Sequence, residues 1–185
     1  VKSGAIGKLE VINLEKHPEI AQEMGVRTVP WVRIGEYELE GNYTPGELAK
    51  WAVKAASPEG MKDYFSELLN IGQIAKVYAL ITSHPGHVKH LFSLLSDPET
   101  ALNVRVGIGA LMEDLAVDGR LNDSITTLGE LTRHENAQIR TDACHYLSLT
   151  GQADALPYIK NLLDDEDASV REIAEESLEA IINNQ

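Results

Sequence analysis

The rhythm of apolar positions along this chain changes after about a third of its length. In Lys8-Leu9-Glu10-Val11-Ile12-Asn13-Leu14 the branched residues cluster over a short stretch, which reads as a strand. His17-Pro18 then opens a short helix over Glu19–Met24, and Gly25 follows its last turn as a left-handed stop. A second strand runs from Thr28 to Ile34, interrupted by Pro30. Gly35-Glu36 turns the chain, and Tyr37–Glu40 returns antiparallel. Thr44-Pro45-Gly46-Glu47 is a capping box with Pro at the first helical position, and the helix it opens sets Leu48, Trp51, Ala52 and Ala55 on one face. The predicted order is β-α-β-β-α.

Beyond residue 57 the strand rhythm disappears and an internal repeat takes over. Asp123–Thr150 and Asp154–Ile181 align without a gap. Ile125 falls on Leu156, Leu128 on Ile159, Leu131 on Leu162, Ile139 on Val170, Arg140 on Arg171, Ala143 on Ala174 and Leu147 on Leu178. Matches at i, i+3, i+6 and then at i, i+4, i+8 describe two amphipathic helices joined by a tight polar turn. His87–Leu115 is a third copy, carrying Val104-Arg105 and a longer turn, Ser96-Asp97-Pro98-Glu99-Thr100; Met61–Ser83 reads as a degenerate fourth. One helix pair cannot bury its own apolar face, so stacked neighbours create the core. The clear repeats are 87–115, 123–150 and 154–181.

Charge divides the chain at the same place. Residues 1–57 hold 7 basic and 8 acidic side chains, whereas 58–185 hold 9 and 21. Ser57-Pro58, an N-cap followed by Pro, marks the start of a helix there. The expected domains are therefore 1–57 and 58–185. The whole chain carries −13, which repels phosphate backbones and anionic lipid. Its single cysteine leaves no internal disulfide, no CxxC pair and no thiolate zinc site within these residues. The longest apolar stretch, Ile71–Thr82, includes Lys76 and is too short to span a bilayer. No leader pattern is visible, and a cytoplasmic setting is expected.

The repeats resemble HEAT repeats, closest to the short type first noted in phycobilisome lyases, whose pattern is Asp-x-x-Val-Arg-x-x-Ala. Asp167-Ala168-Ser169-Val170-Arg171-Glu172-Ile173-Ala174 carries it in full. Asn136-Ala137-Gln138-Ile139-Arg140-Thr141-Asp142-Ala143 carries it with Asn for Asp and Ile for Val, and the third copy has Ala101 and Ile108 at the Asp and Ala places. That resemblance implies an α-solenoid that binds proteins; a bilin lyase is suggested only by the name of the repeat type.

The first segment resembles the C-terminal half of thioredoxin-like proteins, carried by Gly25-Val26-Arg27-Thr28-Val29-Pro30, the hairpin, Gly41 and the helix from Pro45. The resemblance implies that the Val29–Pro30 bond is cis. It also implies that Thr28, Val29, Pro30 and Trp31 form a platform on which an extended peptide adds a strand. Val1–Lys8 would then be the end of the CxxC helix and the loop after it, with the family's earlier strands upstream. A partner, a second copy of the chain or an upstream segment would complete the sheet. The expected fold class is thus α/β plus all-α, a partial thioredoxin-like fold followed by a solenoid of HEAT-like helix pairs.

Other clusters point to structure before chemistry. In His84-Pro85-Gly86-His87-Val88-Lys89-His90, two imidazoles at i, i+3 suit a transition metal, but without a carboxylate or thiol in the stretch it reads as a turn between helices. Cys144 aligns with Glu175, which suggests partial exposure; an acidic neighbourhood opposes the lowered pKa that a reactive thiol needs. Arg105, Arg140 and Arg171 recur at one repeat position, where their stems cover a helix seam and their guanidinium groups meet turn acids such as Asp142 or Asp167, or helix carbonyls. Asp164-Asp165-Glu166-Asp167 lacks the spacing of a calcium loop and reads as a solvated turn at a helix N-terminus. Gly107-Ile108-Gly109 reads as close helix packing.

These readings lead to a protein-interaction module with no catalytic residue, metal or cofactor, and with a neutral or basic protein as partner. The alternative, from another class, is part of a thiol-disulfide oxidoreductase whose CxxC lies upstream of Val1, with the repeats docking its substrate. In an insulin-reduction assay with dithiothreitol, this chain should match its Cys144→Ser variant; turnover above that variant would mean that a thiol of these residues does redox work.

Overall fold

Lone helix pairs of this length expose too much apolar surface to stand alone, and the computed structural model shows how the chain covers it. Residues 7–183 are described; most of the Val1–Lys8 stretch lies outside them. The described residues form two compact units, 1–64 and 65–185, divided between Tyr64 and Phe65 inside one helix.

The first unit is small. Helix α1, Pro18–Glu23, has Pro at its start, and Gly25 adopts φ +66° after it. Strands β1, Trp31–Ile34, and β2, Tyr37–Glu40, form an antiparallel hairpin in which Trp31 faces Glu40 and Ile34 faces Tyr37. Helix α2, Pro45–Ala55, starts with the predicted capping box: Thr44 Oγ1 accepts from the Glu47 amide at 3.3 Å and the Glu47 carboxylate accepts from the Thr44 amide at 2.7 Å. Trp51 and Ala52 are the buried face of that helix. Trp51, Tyr37 and Tyr64 pack together with ring centroids 4.9–6.0 Å apart.

The strand expected over Lys8–Leu14 is absent. Leu9 and Val11 are 68% and 86% exposed and the backbone there is irregular. A strand needs a neighbour for its N–H and C=O groups, and among the described residues the sheet consists of β1 and β2 alone. A two-stranded hairpin with two helices does not establish a thioredoxin-like fold. The Val29–Pro30 peptide is cis.

Helix α3, Gly60–Asn70, begins two residues after the expected start, because Ser57 accepts from the Glu59 amide in a turn that precedes it. From Phe65 on, the chain is all helical. Helix α4, Ile74–Ser83, follows α3; α5, Val88–Leu95, pairs with α6, Leu102–Val117; α7, Ile125–Leu131, with α8, Ala137–Leu149; and α9, Leu156–Lys160, with α10, Ala168–Asn183. The second helices stack in a row, α4 on α6, α6 on α8 and α8 on α10. Val104, Ile139 and Val170, which share one repeat position, are buried between layers. Each contributes about 1.5–3 kcal/mol by leaving water.

Close approach between layers relies on glycine at two places. Gly107 of α6 lies against Leu69 of α3, so the Gly-Ile-Gly stretch is a packing device as expected. At Gly129 of α7 a methyl group would overlap the ring of Tyr158 on α9. Gly129→Ala should therefore destabilise the repeats by roughly 1–3 kcal/mol, the cost of overpacking. Urea unfolding followed by circular dichroism reads this directly, and the loss should shrink in a Tyr158→Ala background.

Candidate functional site

The recurrent arginines sit on the second helix of each pair, one turn from its N-terminus, and this places them over the turn that joins the two helices. Carbonyls at the end of a first helix lack intrahelical partners. Arg140 Nη1 donates to the carbonyls of His134 and Glu135 at 2.9 and 3.0 Å, and Arg171 Nη1 to those of Asp165 and Glu166 at 2.6 and 3.1 Å. Arg105 spans the longer turn of its repeat, its Nη2 donating to the carbonyls of Asp97 at 2.9 Å and Leu95 at 3.4 Å.

The same guanidinium groups bind the next repeat. Arg140 Nε and Nη2 grip both oxygens of Asp165 at 2.8 and 2.7 Å, a bidentate pair whose side chains are 8% and 9% exposed. Arg105 Nη1 meets Asp142 of α8 at 3.0 Å. Arg171 donates to the carbonyls of its own turn. Asp142 is thus the partner the sequence indicated. Asp167 is not: it caps α10, accepting from the Ser169 and Val170 amides at 2.8 and 3.4 Å. Asn136 caps α8 in the same manner, while Ala101, at that position before α6, offers no side-chain cap.

Asp165 is the residue that sequence reading missed, since the whole acidic run read as a solvated turn. Its counterpart one repeat earlier is His134. Both accept from the backbone amide two residues on, His134 Nδ1 from Asn136 at 3.0 Å and Asp165 Oδ1 from Asp167 at 2.9 Å. That shared position, two before the helix cap, was the available signal.

Cys144 corrects a second expectation. It is fully buried, not partly exposed. Its counterpart Glu175 is on the terminal helix and faces water, whereas α8 is covered on both flanks, by α6 and α10. Burial pushes the thiol up to about 11, so it is protonated at neutral pH and a poor nucleophile. The Ser177 hydroxyl donates to the carbonyl of Cys144 at 3.5 Å, tying α10 to α8.

Among the histidines, His84 is exposed and ends α4, His87 closes the short 3-10 turn Pro85–His87, and His90 is buried in α5. Their rings follow one another at 5.3 and 5.8 Å, and Phe65 stands edge-on to His87 and His90. They form an aromatic row under the α4–α5 turn.

In the first unit, the Tyr64 hydroxyl donates to the Glu38 carbonyl at 2.7 Å and accepts from the Glu38 amide at 2.9 Å. Both backbone groups of Glu38 therefore point away from β1, and Arg33, opposite Glu38, must point its own away from β2. Trp31, two residues earlier, does the same. No strand of the described residues pairs with this edge. Next to it Thr28 Oγ1 donates to the Glu40 carboxylate at 3.3 Å, Val29 is 68% exposed, and Arg33 stands 6.0 Å from the Trp31 ring. Burial raises the Tyr64 phenol to about 12, which keeps it a donor.

Helix pairs stacked through one repeated set of contacts define an α-solenoid. Residues 88–179 match the family model of HEAT repeats, which supports the repeat reading of these helix pairs. No curated protein and no solved structure matches the chain significantly. No helix of the described residues is long and apolar enough to cross a membrane.

The arginine–carboxylate ladder has a pH signature. Arg140 holds the Asp165 carboxyl below its ordinary value. A depressed pKa contributes stability that is present above the unfolded value of about 3.9 and is lost as pH falls through the folded one. Arg140→Met should cost roughly 1–3 kcal/mol at pH 7, since Asp165 loses its bidentate partner and keeps only the Asp167 amide. The same variant should flatten the fall in urea midpoint between pH 5 and the acid limit; an unchanged slope would show that the pair does not titrate with folding.

Proposed function

We propose that this protein is a protein-interaction module whose repeats dock a neutral or basic protein partner. HEAT repeats generally serve as such modules, and the surface along the second helices supports this reading. On α6, Leu102 and Val106 are 78% and 66% exposed. The equivalent positions on α8 carry Ala137 and Thr141, and those on α10 Ala168 and Glu172; α10 also presents exposed Glu175, Glu176 and Glu179. At one position, Val106–Thr141–Glu172, the row passes from apolar to acidic across three layers, and exposed Glu113 of α6 shares the repeat position of Glu179. Acids spaced i, i+3 and i+4 on one helix repel each other, and a partner's cations relieve that repulsion as well as steer its approach. This graded row is the observation that carries the reading.

The first unit adds a peptide-binding edge. Thr28, Val29, Pro30 and Trp31 lead into the open edge of β1, and an extended segment pairing there takes up the outward backbone groups of Trp31 and Arg33 by strand addition. Its resemblance to a thioredoxin-like segment supports this, and a second copy of the chain is one source of the added strand. The arginines Arg105, Arg140 and Arg171 hold the layers in register under this scheme and do not themselves touch the partner.

Affinity capture from the source cell extract, quantified by mass spectrometry, tests the main reading. Proteins retained by the wild-type chain should be lost from the variant E172K/E176K/E179K and from Val106→Asp. Retention of the same set by both variants would overturn the proposal.

A further inference from the structure

A second surface lies on the row of first helices. Between α5 and α7 runs a groove of about 510 Å³. Ile81 of α4, Phe92 of α5 and Leu115 of α6 are nearly buried and form its floor, with Leu131 of α7 on one wall. Its charged residues are Lys89, Arg120 and Asp123, a positive balance within a stretch, 58–185, that holds 9 basic and 21 acidic residues. Arg120 stands 3.8 Å from Asp118, whose carboxylate also accepts the Tyr78 hydroxyl, so the hold on Arg120 is loose. Both Lys89 and Arg120 are exposed at the groove. The groove thus reverses the charge of the repeat surface around it, and its apolar floor adds a second recognition element.

We propose that this groove docks a short segment of a partner protein that inserts a bulky apolar side chain beside a carboxylate. The apolar side chain covers the Phe92–Leu115 floor, and Lys89 and Arg120 pair with the acid. Charge complementarity favours the acid, because the groove presents two cations, Lys89 and Arg120, against the one carboxylate of Asp123. The groove is partly open to solvent. Small ligands favour sites that enclose most of their surface, whereas a peptide continues past both ends, so a peptide is the occupant. The site extends the interaction reading to a face and a charge preference distinct from the acidic second-helix row. Lys89 and Arg120 lie outside that row, so either reading can fail while the other stands.

Panning of phage-displayed random dodecapeptides against the full chain tests this. Enriched sequences should place Leu, Met, Phe or Trp within three residues of Asp or Glu. Fluorescein-labelled versions should lose at least tenfold in affinity, by anisotropy, on the variant K89E/R120E. They should lose as much on Ser93→Trp, which fills the groove from an exposed position of α5 without altering charge. Thermal melts of both variants should match the wild type, which separates lost binding from lost folding. An absence of enrichment, enrichment of basic sequences, or binding that survives both variants would overturn the proposal. So would dodecanoate binding in the groove while no displayed peptide does.

Discussion

In a stack of short helix pairs the weak point is the joint, where a first helix ends and its last carbonyls face the interior without partners. One arginine per repeat meets that constraint. Its planar fork carries five donors, enough to satisfy two carbonyls of its own turn and still reach a carboxylate in the next layer. Arg140 does both, with two bonds to backbone and two to Asp165. One guanidinium thus ties its own turn to the next layer, on helices whose residues Val104, Ile139 and Val170 are buried. A lysine has neither the fork nor the reach to make both sets of contacts.

The same position behaves differently at each level of the stack. Arg105 finds its carboxylate on the side of α8, at Asp142, where the Asp165 place of that repeat is taken by His134. Arg171 serves its own turn. Cys144 and Glu175 show the complementary effect: one repeat position is sealed on α8, which α6 and α10 flank, and exposed on α10. Acidity follows exposure as well. Asp165 is enclosed by its partner, whereas the acids of α10 stand free for contact from outside, so a count of −13 describes two different populations of charge.

Much of the architecture was legible because it depends on local rules. The capping box at Thr44–Glu47, the hairpin with its Gly35 turn and the helix pairs of the three clear repeats all arise from residues within a few positions of each other. Two readings failed for one reason: they needed a neighbour that sequence does not name. Leu9-Glu10-Val11-Ile12 has the composition of a strand, yet a strand exists only beside another, and none pairs with it among the described residues. Asp165 looked like one of four solvated acids until the bidentate arginine from the preceding repeat enclosed it.

The sequence by itself determined that the chain contains stacked helix pairs, where their turns fall, and that an arginine recurs at each joint, because period and capping are encoded in near neighbours. Only the tertiary structure decided which carboxylate each arginine grips, that Cys144 is sealed between layers, and that a groove of reversed charge opens between α5 and α7. Those outcomes depend on which helix lies against which, and burial and charge pairing are properties of that adjacency rather than of any one segment.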